Sequence, residues 1–405
     1  MEVPADRRGQ FVRSSRVCAL LAAAFAVIAS CLLGGTVNAQ TFTTQTWGSS
    51  IGPDSPVNQQ CVTGDFNGDG LMDLACYSGS GNSWSVGLST GSGFNQEVWS
   101  SGAVPGLPIT NQCLTGDFNG DGMTDLVCHG AGTSWFIGLS TGSGFVAQSW
   151  TSNLDAGVVA GNLCVTGDFN GDGMTDLACY TGSGTGWYVG LSNGTGFNSE
   201  FWGGGVTPST PISKNCRTGD FNGDGMTDIA CVVTTSSPAA WNVALSTGTG
   251  FTTQTWSGAV DVSECAVGDF NGDGRTDFAC WNGATAGTAG PWSVLLSNGA
   301  GFDRQTWNNG LGSSSIFNFQ CVVGDFNGDG LTDVSCYTSG GAWGVALSTG
   351  AGFVTQGWTS SVAPNLPIYN QCLTGDFNGD GRTDISCYSG SGGNWSMGMA
   401  VPGRM

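Results

Sequence analysis

The phrase Gly-Asp-Phe-Asn-Gly-Asp-Gly-x-x-Asp occurs seven times, opening at Gly64, Gly116, Gly167, Gly219, Gly268, Gly324 and Gly375. Its period of about 50 residues marks a repeat architecture, in which one small unit recurs and buries its core only against its neighbours. Every other feature of the chain is read against that spacing.

In the first copy Asp65, Asn67 and Asp69 alternate with Phe66 and Gly68, and Asp73 follows four residues after Asp69. This is the opening of an EF-hand loop cut short, with a carboxylate at position nine and no Glu at twelve. Calcium is a hard cation that takes six to eight oxygens. Asp65, Asn67, Asp69 and Asp73 offer side-chain oxygens, and the carbonyl of Leu71 offers one more. Gly68 and Gly70 allow the positive φ that a tight loop needs. The equivalent sets are Asp117, Asn119, Asp121, Met123 and Asp125; Asp168, Asn170, Asp172, Met174 and Asp176; and Asp220, Asn222, Asp224, Met226 and Asp228. They continue with Asp269, Asn271, Asp273, Arg275 and Asp277; Asp325, Asn327, Asp329, Leu331 and Asp333; and Asp376, Asn378, Asp380, Arg382 and Asp384. Magnesium demands a tighter octahedron, and the loops carry no His for zinc. A plain Asn-Gly-Asp-Gly hairpin turn accounts for the glycines. It does not account for three carboxylates within nine residues, which repel one another without a cation. The expectation is up to seven Ca²⁺, one per repeat.

The first 39 residues read as a signal peptide. Arg7, Arg8, Arg13 and Arg16 precede an apolar run from Val17 to Leu33, and Val37-Asn38-Ala39 has the small-x-small pattern of a cleavage site. Ile28-Ala29-Ser30-Cys31 is a lipobox-like alternative that would anchor the chain through Cys31. No other stretch is long and apolar enough to span a membrane. Beyond residue 39 the chain keeps six basic and 28 acidic residues, and 21 of those acids are the three Asp of each loop. The acidity therefore belongs to the loops and argues against a nucleic-acid partner.

Of the 16 cysteines, Cys18 and Cys31 fall in the signal segment. The other fourteen form evenly spaced pairs that straddle each loop, Cys61/Cys76, Cys113/Cys128, Cys164/Cys179, Cys216/Cys231, Cys265/Cys280, Cys321/Cys336 and Cys372/Cys387. If the loop joins two antiparallel strands, each pair faces itself across one hairpin, which predicts seven disulfides and an oxidising compartment.

Residues 61–99 show the full unit. Cys61–Phe66 reads as a strand, followed by the acidic loop. Further strands are read over Asp73–Tyr77, Trp84–Ser89 and Phe94–Trp99, joined by glycine-rich turns. Four short antiparallel strands make one propeller blade. The last unit stops after Trp395–Met399 without a fourth strand, while Phe42–Trp47 is an orphan of that type. Seven loops, seven cysteine pairs and seven Phe-x4-Trp strands predict an all-β fold: a seven-bladed propeller over 40–405, closed by the N-terminal strand. An open solenoid is the alternative.

With these motifs the chain resembles the FG-GAP/VCBS repeat family, whose best-known members form the integrin α-subunit propeller. The resemblance covers essentially all of the chain after residue 39. It implies that the acidic loop joins the innermost strand to the next, with Asp65, Asn67, Asp69, Asp73 and their equivalents as calcium ligands. The Trp-x-Val-x-Leu-Ser-Thr-Gly-x-Gly-Phe phrase also looks like repeats of secreted Rhs and toxin-complex proteins. The chain departs from integrins in its uniform loops and its cysteine pairs, so integrin-type adhesion is not implied.

The same placement puts the residue before each first cysteine near the mouth of the central channel. These residues are Gln60, Gln112, Leu163, Asn215, Glu264, Gln320 and Gln371. Gln60, Gln112, Asn215, Glu264, Gln320 and Gln371 are the candidate ligand-binding set, with variable connections before each first cysteine as the recognition face. Tyr77, Tyr180, Trp281, Tyr337 and Tyr388 after the second cysteine are read as packing residues first and sugar platforms second. His129, the only histidine, stands at the same position in its repeat. No Ser-His-Asp set is assembled, and no catalytic residue is named. The function read from the sequence is a secreted, monomeric, calcium-stabilised binding module for carbohydrate or an extracellular surface protein. A lyase-like enzyme on polysaccharide, resting on Lys214, Arg217, Asp261 and Glu264, and a structural platform are the alternatives.

Overall fold

The computed structural model describes residues 41–48, 51, 61–77, 83–100, 113–129, 134–151, 154, 164–180, 186–206, 216–233, 240–256, 265–281, 291–307, 311, 321–339, 342–360, 362, 372–388 and 394–401. The first blade holds β2 (Cys61–Gly64), β3 (Asp73–Tyr77), β4 (Ser83–Ser89) and β5 (Phe94–Ser100), all antiparallel and paired in chain order. β6 to β25 repeat this unit in five further blades, over 113–151, 164–202, 216–256, 265–307 and 321–359. The seventh blade joins β26 (Cys372–Gly375), β27 (Asp384–Tyr388) and β28 (Asn394–Val401) to β1 (Thr41–Gly48). The fold is a seven-bladed all-β propeller. β1 runs antiparallel to β28 from Thr41 opposite Val401 to Gly48 opposite Asn394, so the N-terminal strand closes the ring.

The inner strand is shorter than the sequence suggested. It ends at Gly64 rather than Phe66, because the Phe66 N–H donates to the Asp73 carboxylate at 2.9 Å instead of to a strand partner. Gly64 itself is dictated by the neighbouring blade: a Cβ there would run into the Thr124 side chain, and the same conflict recurs from Gly116 with Thr175 round to Gly375 with Met72.

Blades are joined by an aromatic wedge. Phe145, heading the outer strand of the second blade, packs edge-on against Phe66 at 5.8 Å and Trp99 at 5.0 Å in the first. The arrangement recurs around the ring. At the closure, Phe42 of β1 packs against Phe326, Trp343 and Trp358 of the sixth blade, and Trp47 of β1 meets Phe94 of the first. Each such pair adds about 0.5–1.5 kcal/mol to the burial of its rings. In every outer strand the tryptophan indole N–H donates to Gln or Glu two residues earlier, as Trp99 to Glu97 and Trp358 to Gln356, which keeps its polar edge satisfied at the blade's outer margin.

All seven cysteine pairs are disulfides, with Cα–Cα distances of 4.0–4.1 Å. Each bridges two residues directly opposite in the ladder of the two innermost strands, as Cys61 opposite Cys76. In the chain-entropy account, closing a loop of this length contributes about 3 kcal/mol. Tyr77 and Tyr180 are buried against Trp84 and Trp187, and His129 packs edge-on to Trp135 at 5.0 Å, so this position serves blade packing.

Candidate metal centre

Each acidic loop is wound around its first aspartate. Asp65 Oδ1 accepts from the N–H groups of Gly68 and Asp69, and Oδ2 accepts from that of Gly70. Gly68 and Gly70 take φ of 76° and 85°, the left-handed turn that gathers three N–H groups on one carboxylate. Asn67 Oδ1 accepts from the Asp69 N–H, and Asp69 Oδ1 from the Leu71 N–H. The other six loops repeat these bonds, as at Asp117, Asn119 and Asp121 or at Asp376, Asn378 and Asp380.

Asp73 does something different. It is wholly buried, and its two oxygens accept from the N–H groups of Phe66, at 2.9 Å, and Ser89, at 2.7 Å. One carboxylate thus ties the end of the inner strand to the end of the third. The same pair of bonds is made by Asp125, Asp176, Asp228, Asp277, Asp333 and Asp384, with Ala400 in place of serine in the last blade. Burial pushes the Asp73 carboxyl up from 3.8 to about 7; the two backbone donors oppose the shift, and the charges of Asp69 and Asp65 add to it. The six equivalents are raised to about 7 with burial as the first cause.

The loops form a ring. The N–H of Thr124 donates to the carbonyl of Asp65, Thr175 to Asp117, Thr227 to Asp168, Thr276 to Asp220, Thr332 to Asp269, Thr383 to Asp325 and Met72 to Asp376, at 2.6–2.9 Å. In the first six blades the serine ending the third strand adds a second tie: Ser140 Oγ donates to the Phe66 carbonyl, and Ser89 Oγ to that of Phe377. All seven acidic loops therefore line one rim and are bonded blade to blade without a gap.

Among the described residues no three His, Cys, Asp or Glu side chains are gathered as a ready-made cation cage. The donor chemistry of each loop nevertheless fits a hard cation. The candidate ligand side chains, Asp65, Asn67, Asp69 and Asp73 in the first blade, all carry oxygen, and the charges of Asp69 and Asp65 add to the burial that pushes the position-nine carboxyl upward. The structure places Asp65, Asn67 and Asp69 together on one exposed turn, with Asp73 beneath them. The serine after the third strand and the residue at position eight, which knit the rim together, carry no metal-site signal in the sequence. The recurring Leu-Ser-Thr-Gly phrase, with Asn for Thr in two blades, marks the serine alone, and position eight lies inside the acidic loop. The candidate ligand residues Gln60, Gln112, Asn215, Glu264, Gln320 and Gln371 lie outside the described residues, as do Leu163, Lys214 and Asp261. Arg217 is half-buried on the inner strand of the fourth blade and donates to the Cys216 carbonyl at 2.8 Å.

The FG-GAP-like repeat matches six times, over residues 65–128, 117–179, 168–231, 220–280, 269–336 and 325–387. The chain belongs to the FG-GAP-like repeat family. Each match begins at the first aspartate of one loop and ends at the second cysteine of the next blade, which is why seven loops give six overlapping spans. No match to this FG-GAP-like chain was found among curated proteins. Among solved structures, a chain of the Photorhabdus luminescens Tc holotoxin pore is similar over 78% of this chain, with a TM-score of 0.48 and 17% identity. The FG-GAP-like chain spans 15% of the length of that toxin chain. The V. cholerae biofilm matrix protein Bap1 is similar over 85% of this chain and 77% of its own, with a TM-score of 0.33 and 11% identity. No helix among the described residues is long and apolar enough to cross a membrane.

Proposed function

We propose that this FG-GAP-like propeller is a secreted, calcium-stabilised, non-catalytic binding module for carbohydrate or an extracellular surface protein. The observation that carries the reading is the unbroken ring of seven acidic loops along one rim. Such a rim is a rigid platform whose blade-to-blade geometry is fixed, leaving sequence variation to the connections before each inner strand. In the first blade Asp65, Asn67, Asp69, Asp73 and the Leu71 carbonyl are the groups that would hold Ca²⁺, and their equivalents would do so in the other six. A bound Ca²⁺ supplies positive charge to three carboxylates held within nine residues. Export through residues 1–39 fits this account, because the seven disulfides need an oxidising compartment and calcium modules outside cells work at roughly 0.1–1 mM.

The test is a glycan array on the chain from residue 40 to 405, run with calcium and again with EDTA. Saturable binding lost in EDTA is the expected result. Silence in both runs overturns the carbohydrate reading and moves the search to protein partners by pull-down.

A further inference from the structure

The seven acidic loops are alike in every residue except the two before the last aspartate. At the first of these stand Leu71, Met123, Met174, Met226 and Leu331 in five blades, but Arg275 in the fifth blade and Arg382 in the seventh. Both arginines turn back on their own loop. Arg275 Nη2 lies 2.5 Å from Asp273 Oδ2, and Arg382 Nη1 lies 3.4 Å from Asp380 Oδ2. Each aspartate is the position-five carboxylate of the candidate cation set. In both cases a second bond holds the guanidinium in place: Arg275 Nε donates to the Ser297 carbonyl at 2.9 Å, and Arg382 Nε to the Asn327 carbonyl at 3.1 Å.

The consequence shows on the aspartate. In the first six blades the Asn67-type amide donates to Oδ2 of the position-five aspartate, as Asn67 to Asp69 at 3.0 Å. In the fifth blade Asp273 Oδ2 takes both the Asn271 amide and the guanidinium. In the seventh blade the Arg382 guanidinium stands at Asp380 Oδ2, where the other blades have the amide. These two loops carry a fixed positive charge of their own. In the other five, no cationic side chain among the described residues pairs with the loop carboxylates.

We infer that the loops form two classes toward a divalent cation: five that take Ca²⁺ readily, and two, in the fifth and seventh blades, in which the built-in arginine competes with it. This rests on the calcium reading above. Affinity in oxygen-ligand loops is tuned by the charge count of the ligands. A guanidinium on the position-five carboxylate removes one negative charge from that count and repels the incoming ion. The two loops therefore bind Ca²⁺ at least about tenfold more weakly and hold their shape without it.

The position tolerates exchange. The residue there lies over a glycine of the preceding blade's loop, Arg382 over Gly328 and Leu331 over Gly272, so leucine and arginine fill the same space. The test is a Ca²⁺ titration of the calcium-stripped chain by equilibrium dialysis, with bound metal counted by elemental analysis. The wild-type chain is expected to fill five sites first and two more only at tenfold or higher free calcium. The double variant Arg275→Leu/Arg382→Leu is expected to bind seven ions as one class. Leu331→Arg is expected to move one site the other way, giving four and three. Circular dichroism confirms that each variant is folded. A single class of seven in the wild type, or a double variant that still divides five and two, overturns the inference and leaves the calcium reading intact. No bound calcium at any concentration overturns both.

Discussion

The N–H of Thr124 donates to the carbonyl of Asp65 at 2.6 Å, and the Thr124 side chain fills the space that a Cβ on Gly64 would need. One residue of the second blade thus fixes both the hydrogen bond and the close approach that join it to the first. Gly64→Ala is expected to lower the urea midpoint, with a loss of roughly 1–3 kcal/mol as for other overpacked sites. Thr124→Gly in the same chain should recover part of that loss, a positive coupling that a double-mutant cycle reads directly. Independent effects of the two substitutions would show that the approach is not tight.

Asp73 and Asp65 are both candidate metal ligands, yet their protein partners differ. Asp73 satisfies two N–H groups inside the blade, whereas the N–H groups on Asp65 belong to the exposed residues Gly68, Asp69 and Gly70. In EDTA, Asp73→Ala leaves the Phe66 and Ser89 donors without an acceptor and costs roughly 1–3 kcal/mol for each. Asp65→Ala costs less, because water replaces the lost acceptor. Thermal melts of the two variants without calcium check this; equal losses would contradict a structural role for Asp73.

On the calcium reading proposed above, chelation acts chiefly on the five loops that carry no arginine of their own. With three carboxylates in each of those turns, chelation leaves unbalanced charge along that part of the rim. The melting temperature is expected to fall markedly in EDTA and to return with added Ca²⁺, since a ligand that binds only the folded state stabilises it by mass action. An unchanged melt, together with no calcium by elemental analysis, would remove the metal from the account.

Much of the architecture was legible in the sequence because it is written seven times. The loop, the cysteine pair and the Phe-x4-Trp strand each recur at the same offset, so the blade count and the closing role of Phe42–Trp47 follow from counting. The end of the inner strand was misplaced by two residues, because the bond from Phe66 to Asp73 is made across the loop and leaves no periodic trace. The bonds from Trp99 to Glu97 and from Ser140 to Phe66 were equally hidden. The first depends on a side-chain rotamer, and the second joins residues 74 positions apart. The arginines at 275 and 382 were visible as letters, but nothing in the repeat says that their guanidinium groups turn back onto Asp273 and Asp380.

The closing strand carries the last prediction. β1 covers β28 along its whole length, places Phe42 against Phe326, Trp343 and Trp358, and places Trp47 against Phe94. Two of the seven blade interfaces thus depend on residues 300 or more positions away in sequence from the rest of the seventh blade. Phe42→Ala is expected to cost about 3–5 kcal/mol, the range for a buried aromatic truncated to alanine. Removing 41–48 altogether exposes the β28 edge as well as the Phe326 and Phe94 faces. That chain should lose its single cooperative melt and associate through the open edge. A synthetic peptide of residues 41–48 supplied in trans should restore the melt by pairing with β28. A truncated chain that melts like the intact one, with or without the peptide, would mean that the ring does not need its N-terminal strand to close.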